Sequence, residues 1–123
     1  MSLAGTSKIE RIIETEPSRD DAVEATYLVT RLISHREVLA RGVSRKAFLA
    51  RYPESSPKSR RLALIILDEI TKEESVPLQR ISQRKLDAYG LAASRAMRRR
   101  LREEMPLDDG RGLELLEELR RTG

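Results

Sequence analysis

From Ser56-Pro57 to about Glu74 the chain carries Leu62, Ala63, Leu64, Ile65, Ile66, Leu67 and Ile70, which reads as one helix apolar on most of its sides. A serine N-cap followed by proline starts such a helix well. Proline's fixed φ suits the first turn, where its missing N–H is not needed. A helix with so wide an apolar surface has to be covered by other elements. The rest of the chain offers helices for that purpose and almost no strand-like alternation.

The covering elements can be read from their punctuation. Ser7 and Glu10 have capping-box spacing ahead of Ile9, Ile12 and Ile13, and Pro17 ends that run. Ser18 caps a longer segment in which Ala22, Ala25, Val29 and Leu32 recur at helical spacing, and Ser34 with Glu37 marks a break. Gly42 ends the next short piece, Ser44 caps another from Arg45 to Tyr52, and Pro53 closes it. Val76 to Ile81 reads as an extended connector, because Pro77 biases Val76 away from helix. Ser82 caps a short helix ending at Tyr89-Gly90, and a further one runs from about Ala92 to Met105. After the Asp108-Asp109-Gly110 turn, Leu113, Leu116 and Leu119 stripe a last helix, with Leu115 off the stripe. The expected architecture is an all-α, compact single-domain bundle of six to eight helices with helix-turn-helix-like corners. It occupies residues 7–123 behind a flexible leader at 1–6.

Composition narrows the classes. The 123 residues are 39% apolar and 36% charged, which is globular rather than disordered. With no cysteine there is no disulfide framework, thiol nucleophile or thiolate metal site. The longest apolar run, Leu62 to Leu67, is far short of the roughly 18 residues a membrane span needs. No apolar amino-terminal region marks a secretory signal, so the expected protein is soluble, cytoplasmic and without membrane contact.

The formal charge of +4 hides a blocked distribution. Residues 1–30 sum to −3, 31–61 to +7, 62–78 to −3, 79–102 to +7 and 103–123 to −4. In the second basic block Arg95, Arg98, Arg99 and Arg102 fall at i, i+3, i+4 and i+7, on one helical face. Arginine stays charged and binds phosphate bidentately, so this stripe reads as a backbone-contacting strip for nucleic acid. The competing reading is a solvated face, with Asp87, Glu103 and Glu104 close enough in sequence to pair with some of these arginines.

Each basic block also holds a short helix, a glycine and a second helix. Gly42-Val43-Ser44, with Arg45 and Lys46 following, resembles the turn of bacterial repressor helix-turn-helices over about twenty residues. Arg41 and Glu37 stand where such motifs usually pack apolar side chains. The resemblance implies a recognition helix starting at Arg45 and Lys46. A second corner is expected at Gly90-Leu91, with Arg84 and Lys85 on its first helix and the arginine stripe on its reader.

Catalytic patterns are missing. His35 is the one histidine, flanked by Ser34 and Arg36; no Gly-x-Ser-x-Gly elbow occurs, and Gly110-x-Gly112 is too short for a phosphate cradle. Asp68-Glu69, Glu73-Glu74 and Asp108-Asp109 diverge on a helix and make poor chelates alone. Tyr27, Phe48, Tyr52 and Tyr89 are too scattered for a base-stacking platform. The expectation is therefore a non-enzymatic, cofactor-free and metal-free helical protein that binds nucleic acid, duplex DNA before RNA. Its contacts are Arg95, Arg98, Arg99, Arg102, Arg84, Lys85, Arg45 and Lys46. The alternative is an interaction or homo-oligomerisation module built on Leu113, Leu115, Leu116 and Leu119.

Overall fold

The computed structural model describes residues 4–104 and 119–120. The elements are α1 (Ala4–Thr15), α2 (Arg19–Ser34), α3 (Glu37–Ala40), α4 (Arg45–Leu49), α5 (Pro57–Glu74), a 3-10 turn (Leu78–Arg80) and α6 (Gln83–Glu104). No strand occurs among the described residues, and the protein is all-α.

The helix starts follow local chemistry. Ser18, Ser44 and Ser56 each adopt extended backbone, and their hydroxyls accept from the N–H groups of Asp21, Ala47 and Ser59. Such a cap satisfies one of the orphan donors of the first turn and typically contributes about 1 kcal/mol. α1 instead begins at Ala4, ahead of the capping spacing at Ser7. The expected extended connector is a 3-10 turn entered from Pro77, which drops Leu78 and Ile81 into the core.

Four helices carry the core. α1 lies along α6 and α2 along α5, while α5 also meets α1 and α6 also meets α2. α5 buries Leu62, Ala63, Ile66, Leu67 and Ile70, at three- and four-residue spacing. It is not covered all round, because Ile65 is 45% exposed. Ile9, Ile13, Leu28, Leu32, Ile66 and Leu86 join in one apolar cluster drawn from all four helices. At about 25 cal/mol per Å² of buried apolar surface, each large side chain in it contributes roughly 1.5–3 kcal/mol.

Polar joints fix how these helices meet. Glu24 of α2 accepts from the Ser56 N–H at 2.6 Å and from the Ser59 hydroxyl, which places a carboxylate at the positive end of α5. Arg36 Nη1 donates to the Ile81 carbonyl at 2.5 Å and ties the α2–α3 corner to the 3-10 turn. No helix of the described residues is long and apolar enough to cross a membrane.

Candidate nucleic-acid interface

The expected corner at Gly90 does not form. Gln83–Glu104 is one helix of 22 residues, with Gly90 inside it. The Ser82 hydroxyl accepts from the Lys85 N–H at 3.3 Å at its start. The reason for continuity is the stripe: Leu86, Tyr89, Ala93, Ala96, Met97 and Leu101 are all buried along the side facing α1 and α2. A helical glycine costs about 0.5–1 kcal/mol relative to alanine. Packing of that stripe on both sides of Gly90 outweighs the cost several-fold.

The corner at Gly42 does form. Gly42 has φ +95°, its N–H donates to the Leu39 carbonyl, and Val43 packs against the core. Its flanking helices are short: α3 has four residues, and α4 has five and stops at Leu49 rather than Tyr52. Phe48 and Leu49 bury the inner side of α4, and Arg45 Nη1 reaches back to Asp68 of α5 at 2.7 Å. The expected recognition helix is thus little more than one turn, and its first basic residue is paired at the surface with the exposed Asp68 carboxylate.

Three of the eight candidate residues are held in ion pairs. Arg45 pairs with Asp68. Lys85 Nζ lies 3.0 Å from Glu74 Oε1, while the Tyr89 hydroxyl donates to the other oxygen of that carboxylate. The Tyr89 hydrogen bond, followed by Lys85, holds the Glu74 carboxyl below its ordinary value; burial first, then Glu74, pushes the Tyr89 phenol up. Arg99 forks onto α1, donating to Glu14 Oε1 at 2.6 and 2.9 Å and lying 3.3 Å from Glu10 Oε2. The Glu14 hydrogen bond raises the Arg99 pKa above the ordinary arginine value. Arg99 is a clamp between α1 and α6 and leaves the expected stripe.

Its neighbour Arg100, which the stripe did not include, has a different fate. The side chain is 6% exposed, and Nη1 donates to the Ile13 carbonyl at 2.8 Å. That carbonyl lies in the last turn of α1, where backbone acceptors lack helical donors and the dipole favours a cation. Its partner lies 87 residues away, so no local pattern announces it.

Arg84, Arg95, Arg98 and Arg102 remain on the side of α6 opposite the buried stripe. At 3.6 residues per turn they lie within an arc of roughly 60°, and Arg84 to Arg102 spans about 27 Å along the axis. None of the four has an ion-pair or hydrogen-bond partner among the described residues. Leu91, 47% exposed, sits among them. Asp87 flanks the strip and accepts from Gln83 at 2.8 Å. Lys46 is exposed elsewhere, beside Arg60 and Arg61 in a recess of about 490 Å³ formed by α4, α5 and their approaches, with no α6 residue in its lining. The two basic blocks therefore do not share that recess.

Beside the arginine strip runs a cleft of about 1110 Å³ between α2 and α6. Val23, Tyr27 and Ile33 form one wall and Leu86, Leu91, Met97 and Leu101 the other, with Leu119 and Arg120 also lining it. Leu113, Leu115 and Leu116, the other members of the expected oligomerisation stripe, lie outside the described residues. Comparison with protein-family models, curated proteins and solved structures gave no match.

Proposed function

We propose that this protein binds the sugar–phosphate backbone of nucleic acid, duplex DNA before RNA, through the outward side of α6. The observation that carries the reading is the strip of Arg84, Arg95, Arg98 and Arg102, four guanidinium groups on one helix without partners among the described residues. A charged strip built only for solubility would be expected to alternate with acids or to pair with them. This one has Leu91 between its members and a single acid, Asp87, at its flank. Duplex is preferred because a rod of phosphates matches a straight helix face, while the exposed aromatic ring needed for base stacking is absent from this strip. Phosphate contacts carry no sequence information, so backbone binding through this strip is expected to be weakly sequence-selective unless one of its arginines reaches a guanine edge.

The test is duplex affinity across a salt series. Four phosphate contacts correspond to a log–log slope of about −3.6, or about a 150-fold loss of affinity between 50 and 200 mM salt. Replacing the four arginines by glutamine removes that dependence while the fold persists. Binding that is undetectable at low salt, or a slope unaltered in the variant, refutes the proposal. A protein partner is the second reading, favoured by Tyr27, 53% exposed, and Leu91 at the rim of the apolar cleft. It predicts duplex binding that is absent at every salt concentration.

A further inference from the structure

The fold gathers rings that the sequence leaves scattered. Along one flank of α2, Tyr27 meets Tyr52 edge to face, with ring centroids 6.2 Å apart and an interplanar angle of 88°. Tyr52 packs on Phe48 at 5.9 Å, and His35 lies 6.2 Å from the other side of the row, also against Phe48. Cations accompany the row: Arg31 Nε donates to the Tyr52 hydroxyl at 3.2 Å, and the Arg51 guanidinium stands 5.3 Å from the Phe48 ring centre. Phe48 is buried, His35 and Tyr52 are half-buried, and Tyr27 is exposed. An exposed ring braced by a packed neighbour is a preorganised platform, so a ligand that stacks on it has little side-chain order to impose.

We propose that Tyr27 stacks an unpaired nucleobase of a strand whose phosphates lie on the arginine strip. The site rests on the nucleic-acid reading, because Arg98 belongs to both: it stands in the strip and lines the same α2–α6 cleft as Tyr27. Leu91, also exposed, lines the α6 wall of that cleft, and Gly90 beside it leaves open space where a side chain would stand. On the other side of Tyr27, Arg31 follows one turn later along α2, so the strand meets positive charge on both sides of the ring. Three acids line the cleft, and each already has a protein partner. Asp20 lies 3.6 Å from Arg19, Glu24 accepts from Ser56 and Ser59 of the α5 start, and Asp87 accepts from Gln83. A paired base presents its faces to its neighbours in the stack and not to a protein ring. The occupant is therefore an unpaired base, as in a single-stranded tail beside a duplex.

The test uses one duplex extended at one end by either a short thymine tail or an abasic tail of equal length, which keeps the phosphates and lacks the bases. The full chain is titrated by fluorescence anisotropy at low salt, with the blunt duplex alongside. The thymine tail is expected to bind about fivefold more tightly than the abasic tail or better, fivefold being the lower end of what one base–aromatic stack supplies. Tyr27→Leu, which keeps an apolar side chain at this exposed position, abolishes that difference and leaves the blunt-duplex salt slope unchanged, whereas Tyr27→Trp preserves the difference. Far-UV circular dichroism verifies that both variants keep their helices. Equal affinities for the two tails, or a difference that survives Tyr27→Leu, overturn the stacking site and leave Tyr27 to the protein-partner reading, while the blunt-duplex slope judges the arginine strip separately. A blunt duplex that fails to bind refutes the strip alone if the tail difference and its dependence on Tyr27 persist. Binding of neither tail overturns both.

Discussion

Arg98, Arg99 and Arg100 are consecutive in sequence and should differ sharply in what their removal costs. Arg100→Met keeps most of the aliphatic stem but removes a charge-assisted hydrogen bond to the Ile13 carbonyl at 2.8 Å, from a side chain 6% exposed. Such a bond contributes about 1.5–3 kcal/mol, and its loss also leaves a buried acceptor in the last turn of α1 without its donor. Part of that figure is the cation's interaction with the helix dipole, so the two are not added. The expected destabilisation is about 2–3 kcal/mol, roughly 8–12 °C in Tm for a domain of this size. Arg98→Met, which removes no ion pair or hydrogen bond among the described residues, should stay within about 0.5 kcal/mol. Arg99→Met lies between them, because its carboxylate partners are themselves solvent-accessible. Urea unfolding followed by circular dichroism gives all three from the midpoint at constant m. If Arg100→Met costs no more than Arg98→Met, the assignment of Arg100 as a buried cap on α1 is wrong.

Glycine substitutions test the two corners with opposite signs. Gly90→Ala should stabilise by about 0.5–1 kcal/mol, since Gly90 is mid-helix with nothing within 4 Å of an added Cβ; destabilisation would restore a turn there. Gly42→Ala should destabilise by about 1–2 kcal/mol in the same urea assay, because φ is +95°; a neutral result would contradict that backbone. Tyr89→Phe should lower stability by about 1 kcal/mol at neutral pH and flatten both ends of the pH profile. Glu74 has a depressed folded pKa, so its contribution is present above its unfolded value of 4.5 and is lost as pH falls through the folded value. Tyr89 has a raised folded pKa, so its contribution holds below 10.0 and declines as pH rises beyond it; unchanged slopes in the variant would refute the pairing.

The legible parts of this fold were the local ones. Ser18, Ser44 and Ser56 announced their helices because a cap needs only the next three residues. The Gly42 turn was legible for the same reason. Gly90 misled because a glycine between two apolar helical stretches has one local grammar in a turn and in a helix. The decision came from packing, through a buried stripe running unbroken from Leu86 to Leu101. The candidate site divided in the same way. That Arg95, Arg98 and Arg102 share a face follows from helical spacing, and Arg84 joins them once α6 is continuous. That Arg99 leaves the strip depends on Glu14, 85 residues away. Arg45 likewise meets Asp68 across 23 residues. Ion pairs between distant elements leave no periodic trace, so the stripe had to be read with one arginine too many.

The proposed contact between four arginines of α6 and phosphates has a direct measurement. Fluorescence anisotropy of a labelled duplex, from 50 to 200 mM salt, tests it most directly when the native chain is set beside two variants. The native slope of log affinity against log salt should be about −3.6, falling toward zero when Arg84, Arg95, Arg98 and Arg102 are all glutamine. Arg99→Gln should leave that slope unchanged, because Arg99 is engaged by Glu14 and Glu10. A slope that persists in the fourfold variant, or that drops with Arg99→Gln alone, would contradict phosphate contact through these four side chains.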